Sequence, residues 1–243
     1  MRKAIAAGAI VIAGATSACS QARGEDGGPT VSRNYNVGSF DQIELAGRYD
    51  VDVRTGANAS VAASGPERAM ERLIVEVRGG KLVIKPKNER RWFGFGSRSG
   101  KDTVRVVVTV PTLSGAALAG SGDIRIDKVR GERFEGAISG SGDLKLGTVE
   151  VGLLKLGIAG SGGLDAGSGR ARSAEYEIAG AGDVRAARVA TEELKVSIAG
   201  SGNVEAHATH AADVDIVGSG NVDITGGAKC AVSKAGSGNV RCS

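Results

Sequence analysis

The sequence predicts an all-β protein, a parallel β-helix with about 18–20 residues per coil, on three observations. A Gly-Ser-Gly-Asp/Asn motif or a close variant starts at Gly120, Gly140, Gly160, Gly180, Gly200, Gly218 and Gly236, at intervals of 20, 20, 20, 20, 18 and 18 residues. Apolar and polar residues alternate on both flanks of every motif. The chain of 243 residues holds 39 glycines and only 3% aromatic residues, so its core must be built from Val, Ile, Leu and Ala. Stacked coils do this, because each coil buries small side chains against the same positions of the next.

The alternation can be followed residue by residue. Two positions before each first glycine stand Leu118, Ile138, Ile158, Ile178, Ile198, Ile216 and Lys234; four after it stand Ile124, Leu144, Leu164, Val184, Val204, Val222 and Val240. Six after it stand Ile126, Leu146, Ala166, Ala186, Ala206, Ile224 and Cys242, and between these two inward columns run Arg125, Lys145, Asp165, Arg185, Glu205, Asp223 and Arg241. A period of two is a strand with one face buried. A helix is excluded, since interior glycines at this frequency would each cost about 1 kcal/mol. A sandwich of hairpins does not demand one motif in one register seven times. Seven coils stacked about 4.8 Å apart would form a rod roughly 30 Å long, with glycine at each corner, where φ turns positive and a Cβ would meet the neighbouring coils.

From the N-terminus, Arg2 and Lys3 precede a run of small and apolar residues from Ala4 to Ala15. The run is too short for a bilayer, which needs about 20 apolar residues, and reads as a signal peptide over residues 1–18. It ends in Thr16-Ser17-Ala18-Cys19, which resembles the lipobox of bacterial lipoproteins; the resemblance implies lipidation of Cys19 and anchoring in the outer membrane of a Gram-negative cell. Ordinary cleavage after Ala22 is the alternative. Residues 19–33 then read as a flexible tether, and 34–243 as a single β-helix domain.

Within that domain, 34–113 is expected to contain irregular N-terminal coils and 114–243 the repeat coils. Strand-like runs cover Gln42–Leu45, Tyr49–Arg54, Leu73–Val77, Lys81–Lys85 and Thr103–Val110, with a helical turn over Pro66–Arg72. Atypical terminal coils are expected because a solenoid must hide its open ends.

Cys230 and Cys242 form an even pair in an exported chain and fall on inward registers of one coil. A disulfide between them, pinning the last rung where Lys234 interrupts the Ile column, is expected in preference to two buried thiols.

Candidate sites are few. The corner column of Asp123, Asp143, Asp183, Asn203, Asn221 and Asn239, broken by Gly163, reads either as a calcium ladder or as turn chemistry in which the Asx side chain bonds nearby amides. The opposite corner lacks the second Gly/Asp turn that a calcium ladder needs, so turn chemistry is preferred and neither metal nor cofactor is expected. His207 and His210 sit together with no third ligand, in what reads as a corner loop. The outward columns mix signs, as in a solvated sheet face, with no isolated acid–base pair. Formal charge is +4, from 31 basic and 27 acidic residues, too balanced for general nucleic-acid binding. Residues 85–102 depart from the pattern. They gather Lys85, Lys87, Arg90, Arg91, Arg98 and Lys101 around Trp92, Phe93 and Phe95, either as a loop contacting a membrane surface, an anionic glycan or a protein, or as a plug for the open end.

The order of a Phe40-Asp41-Gln42-Ile43 strand, a Val108-Thr109-Val110-Pro111-Thr112-Leu113 segment and the repeated GSGD/GSGN coils resembles the putative auto-transporter adhesin, head GIN domain family, over roughly residues 34–243. The resemblance implies an exported, right-handed parallel β-helix and carries no catalytic or binding residues with it. The function expected is a non-enzymatic envelope module for adhesion, interaction or scaffolding, its partner an envelope or extracellular glycan polymer or protein. A polysaccharide lyase or hydrolase on the same fold is the alternative.

Overall fold

The computed structural model describes residues 28–87 and 103–243. The chain forms a β-solenoid of about six turns. Five runs each wind once around the rod: β9 (Asp123–Gly140), β10 (Asp143–Gly160), β11 (Gly163–Gly180), β12 (Asp183–Gly200) and β13 (Asn203–Gly218). Each pairs in parallel with the coil before it and the coil after it. Leu144 lies opposite Ile124 and Leu164, and Gly160 opposite Gly140 and Gly180. The last rung is divided between β14 (Asn221–Thr225), β15 (Lys229–Gly236) and β16 (Asn239–Cys242).

The first coil is one the repeat motif hides. β2 (Gln42–Gly47) and β3 (Asp50–Thr55) meet at Gly47, and the next coil stacks on them as β8 (Gly115–Gly120) and the first half of β9. Gly47 pairs with Gly120 and Asp50 with Asp123. The corner of this coil reads Leu45-Ala46-Gly47-Arg48-Tyr49-Asp50, with Leu-Ala-Gly and Asp at the spacing of Leu118-Ala119-Gly120 and Asp123. The chain thus leaves the stack after β3 and rejoins it at β8.

The intervening residues build the N-terminal end. β6 (Lys81–Pro86) adds in parallel to β2, and β7 (Arg105–Val110) in parallel to β3. Beyond them the sheet turns antiparallel: β5 (Leu73–Arg78) on β6, β4 (Ser60–Pro66) on β7, and β1 (Thr30–Tyr35) on β4. Gly79 and Gly80, with φ of 56° and 77°, close the tight hairpin between β5 and β6. The single-turn helix α1 (Glu67–Met70) buries Met70 and falls inside the expected helical segment. Two expectations change here. Strand begins at Thr30, inside the stretch read as tether, and β1, β4 and β5 are antiparallel additions where irregular coils were expected. The physical reason is that an open coil end exposes unpaired N–H and C=O groups, and antiparallel strands satisfy them without another full winding.

The interior follows the predicted columns. Leu118, Ile138, Ile158, Ile178, Ile198 and Ile216 are all buried, as are Ile124, Leu144, Leu164, Val184, Val204 and Val222. Large and small residues alternate to fill the tube. In β11 the fully buried Tyr176 shares its coil with Ala166, Ala171 and Ala174, and in β9 Gly136 makes room for the ends of Leu144 and Leu156.

Candidate interaction surface

The glycine corner is a single file. Gly120, Gly140, Gly160, Gly180, Gly200, Gly218 and Gly236 hold φ between 130° and 139°, a region that L side chains rarely adopt. Beside them the Asp/Asn column ties one coil to the next. Asp123 Oδ1 accepts the Asp143 N–H at 3.2 Å and Asp143 Oδ1 the Gly163 N–H at 3.1 Å. Asp183 Oδ1 accepts both the Asn203 N–H at 3.2 Å and its Nδ2 at 2.9 Å, and Asn203 Oδ1 accepts Asn221 Nδ2 at 2.9 Å. These side chains therefore bond amides of the next coil, one winding further along the chain than the local turn expected from the sequence. Among the described residues no group of three or more His, Cys, Asp or Glu side chains could hold a metal ion.

His207 and His210 lie within β13, not in a corner loop. They stand where that coil drops two residues and its register against β12 shifts. His207 Nδ1 is 3.1 Å from Thr225 Oγ1, and the His207 carbonyl accepts the hydroxyl of the buried Thr191 at 2.7 Å. Both contacts knit coils together. Cys230 and Cys242 are joined as a disulfide with Cα atoms 6.7 Å apart. They occupy the columns of Ala212 and Ile224, but in the last rung no further coil covers them, and Cys242 is exposed. Lys234 ends the Ile column by donating its Nζ to the Gly238 carbonyl at 2.8 Å.

The outer faces carry paired charge. Arg125 pairs with Asp123 at 3.0 Å, Arg185 with Asp183 at 3.2 Å, and Arg130 with Glu150 at 2.6 Å. The hydrogen bond and charge of Arg130 hold the Glu150 carboxyl below its usual range. All are solvent-exposed pairs, screened by water and salt, and contribute little to stability.

One face differs. Beside the glycine file, outward residues of successive coils are small, among them Ala117, Ala137 and Gly157 in one column and Ala159, Ala179 and Ala199 in the next. They floor a shallow open groove of about 710 Å³ that runs along the rod from Glu44 to Val217. Val217 is 65% exposed. A ladder of Glu135, Lys155, Glu175, Lys195 and Asp213 walls one side. Lys155 Nζ lies 3.2 Å from both Glu175 and Glu177. Hydrogen bonds to these carboxylates raise the Lys155 ammonium pKa, and the bond from Lys155 lowers that of Glu175. Among the described residues no aromatic ring lines this groove.

Cys19, Arg90, Arg91, Trp92, Phe93 and Phe95 lie outside the described residues, but the flanks of the basic aromatic segment are placed. Those flanks are β6 and β7, the outermost parallel strands at the N-terminal end. The Lys87 N–H donates to the Arg72 carbonyl at 2.7 Å. On the far side Arg105 lies opposite Ser64, which lies opposite Ser32. The chain therefore enters the fold at β1 two strands, or about 10 Å, from where this segment rejoins it. Sequence reasoning missed both this neighbourhood and the groove. The groove's signal was present as the recurrent Ala immediately before the motif glycine, at Ala119, Ala159, Ala179 and Ala199. No helix among the described residues is long and apolar enough to cross a membrane.

Comparison with known proteins gives one family and a group of solved folds. A family model described as "Putative auto-transporter adhesin, head GIN domain" matches residues 39–228. Among solved structures, a putative adhesin from Bacteroides fragilis NCTC 9343 superposes with a TM-score of 0.79 at 21% identity, covering 88% of this chain and 97% of its own. A putative lipid binding protein from Parabacteroides distasonis ATCC 8503 gives 0.71 at 24% identity, covering 90% and 98%. A putative adhesin from the same strain gives 0.71 at 20%, covering 89% and 98%. At these identities the likeness is one of fold. No curated protein matches the chain.

Proposed function

Since the chain belongs to the putative auto-transporter adhesin, head GIN domain family, we propose that it is an exported, non-enzymatic interaction module of the bacterial envelope. In this reading Cys19 carries a lipid and residues 20–27 act as the tether to an outer membrane. The solenoid is a rigid rod that holds its outer faces away from the attachment point, toward an envelope or extracellular glycan polymer or protein. The observation that carries it is the direction of the rod: the chain enters at one end through β1, and the coils stack away from that end toward β16. A rod with in-register backbone bonds along its whole length loses little conformational freedom on binding, which favours contact with an extended partner.

The experiment is a binding array of envelope polysaccharides and proteins against the purified chain, run beside a screen for product release from the same polysaccharides. Retention without turnover is expected. Turnover would replace this reading with that of a polysaccharide lyase or hydrolase.

The basic aromatic segment has its own role in the proposal. Arg90, Arg91, Trp92, Phe93 and Phe95 lie in a connection that rejoins the fold about 10 Å from the entry of the tether, which favours the membrane surface as what they touch. One lipid anchor and one basic aromatic patch together give firmer attachment than either alone. Trp92 is the one tryptophan of the chain, so a blue shift of its fluorescence is expected with anionic vesicles and not with neutral ones. An equal response to a soluble anionic glycan would move the contact to that ligand.

A further inference from the structure

The grooved face carries a charge order that becomes complementary to itself when the rod is turned end over end. In one outward column Glu135, Lys155, Glu175 and Lys195 follow one another through four coils. In the column two residues earlier Arg133, Leu153, Ser173 and Glu193 do so. Take a two-fold axis lying in the face along the strand direction, between the Lys155 and Glu175 coils. It leaves each column facing its own reverse: Glu135 meets Lys195, Lys155 meets Glu175, and Arg133 meets Glu193. In the groove itself Glu177 meets Gly157 and Asp215 meets Ala117, so no acid opposes an acid. Val217 meets Ala119, a protruding side chain against a small one.

Pairing between adjacent coils accounts for Lys155 and Glu175 but not for Arg133 and Glu193. Those two stand three coils apart, about 15 Å, and neither has an ion-pair partner among the described residues. A second antiparallel copy brings them together. We propose that this face pairs with a second copy of the chain, rods antiparallel, about that two-fold axis. Six coils of about 4.8 Å by seven residues of about 3.3 Å give a face of roughly 650 Å² per copy, or about 1,300 Å² in all, within the range of specific interfaces. Such a contact is isologous and closes on itself. It does not depend on what the rod binds elsewhere, so the adhesion reading stands or falls separately.

Sedimentation velocity of the purified chain over a concentration series tests this. The wild type is expected to show a monomer–dimer equilibrium that weakens with salt. The double variant Lys155→Glu with Lys195→Glu makes the ladder acidic throughout, and its association is expected to fall at least ten-fold. The fourfold exchange Glu135→Lys, Lys155→Glu, Glu175→Lys and Lys195→Glu keeps both the alternation and the two-fold match, and is expected to dimerise like the wild type. An acidic-ladder copy mixed with a Glu135→Lys, Glu175→Lys copy is expected to form a heterodimer, with circular dichroism verifying the fold of each. A wild type that stays monomeric at every concentration overturns the proposal, as does an acidic ladder that dimerises undiminished. So does a chain that associates only when an envelope polysaccharide is added, which would give the groove to that polymer.

Discussion

Replacing Gly160 by Ala asks the corner file to accept one methyl group. Gly160 sits at φ +136°, and a Cβ built there overlaps the carbonyl oxygen of Gly140 in the coil below, with the Gly140 carbonyl carbon and nitrogen each at 3.1 Å. None of these is the end of a flexible side chain. The Gly140 oxygen also accepts the Ser161 N–H at 2.9 Å, so moving it strains the ladder that joins the coils. Holding a non-glycine residue at this φ costs about 1–2 kcal/mol. Loosening two inter-coil hydrogen bonds adds about 0.5–1.5 kcal/mol each. The expected loss is therefore about 2–5 kcal/mol, a large part of the 5–15 kcal/mol that holds a typical domain. Gly157 is the internal control: three residues away in the same strand, it has nothing within 4 Å of its would-be Cβ and no positive φ, and Gly157→Ala is expected to stay within about 0.5 kcal/mol of the wild type. Urea unfolding followed by far-UV circular dichroism measures both. A solenoid weakened at one interface is also expected to lose cooperativity there, broadening the transition. A Gly160→Ala midpoint equal to that of the wild type, or a Gly157→Ala variant equally damaged, would refute the claim that the coils meet backbone to backbone at this edge.

Tyr176 is fully buried and its hydroxyl has no hydrogen-bond partner, so Tyr176→Phe is expected to raise the urea midpoint, by about 1 kcal/mol in stability. Burial also pushes the phenol pKa above its usual 10. The folded state then holds a proton that the unfolded chain releases, so wild-type stability is expected to fall as pH rises above about 10, and less steeply in Tyr176→Phe, where only the half-buried Tyr35 and Tyr49, also raised by burial, still contribute. Replacing Cys230 and Cys242 by Ser opens a loop of 12-residue separation, expected to cost about 2–3 kcal/mol. The loss should appear in hydrogen exchange as faster opening of β15 and β16 with the central coils unchanged. Asp183→Ala removes two inter-coil acceptor bonds and is expected to cost about 1–3 kcal/mol. Calcium is expected to leave the thermal midpoint of the wild type unmoved, because these oxygens face amides, and a calcium-dependent rise would contradict that assignment.

Much of this molecule was readable from the chain because a coil of 20 residues puts every stacking partner at a fixed sequence offset. The buried Ile column, the glycine corner and the opposed positions of Cys230 and Cys242 all follow from that offset, since a slip of one residue would turn every apolar side chain outward. Where the repetition stops, so does the legibility. Gly47 opens a true corner, but Arg48-Tyr49 stands where later coils have Ser-Gly, and nothing local says that β4 to β7 build on the other side of this coil before the chain returns to the repeat stack at β8. The antiparallel pairing of β1 with β4 and of β4 with β7 has no periodic trace, because those strands respond to an open sheet edge that exists only once the coils are assembled. The partners of the Asp/Asn column were decided in the same way. Within the turn, a carboxylate beside a glycine corner reads as capping its own loop; only the stacking of coils about 4.8 Å apart brings the next coil's amide within reach. The facing of Arg133 with Glu193 belongs to a further level, the meeting of two finished surfaces.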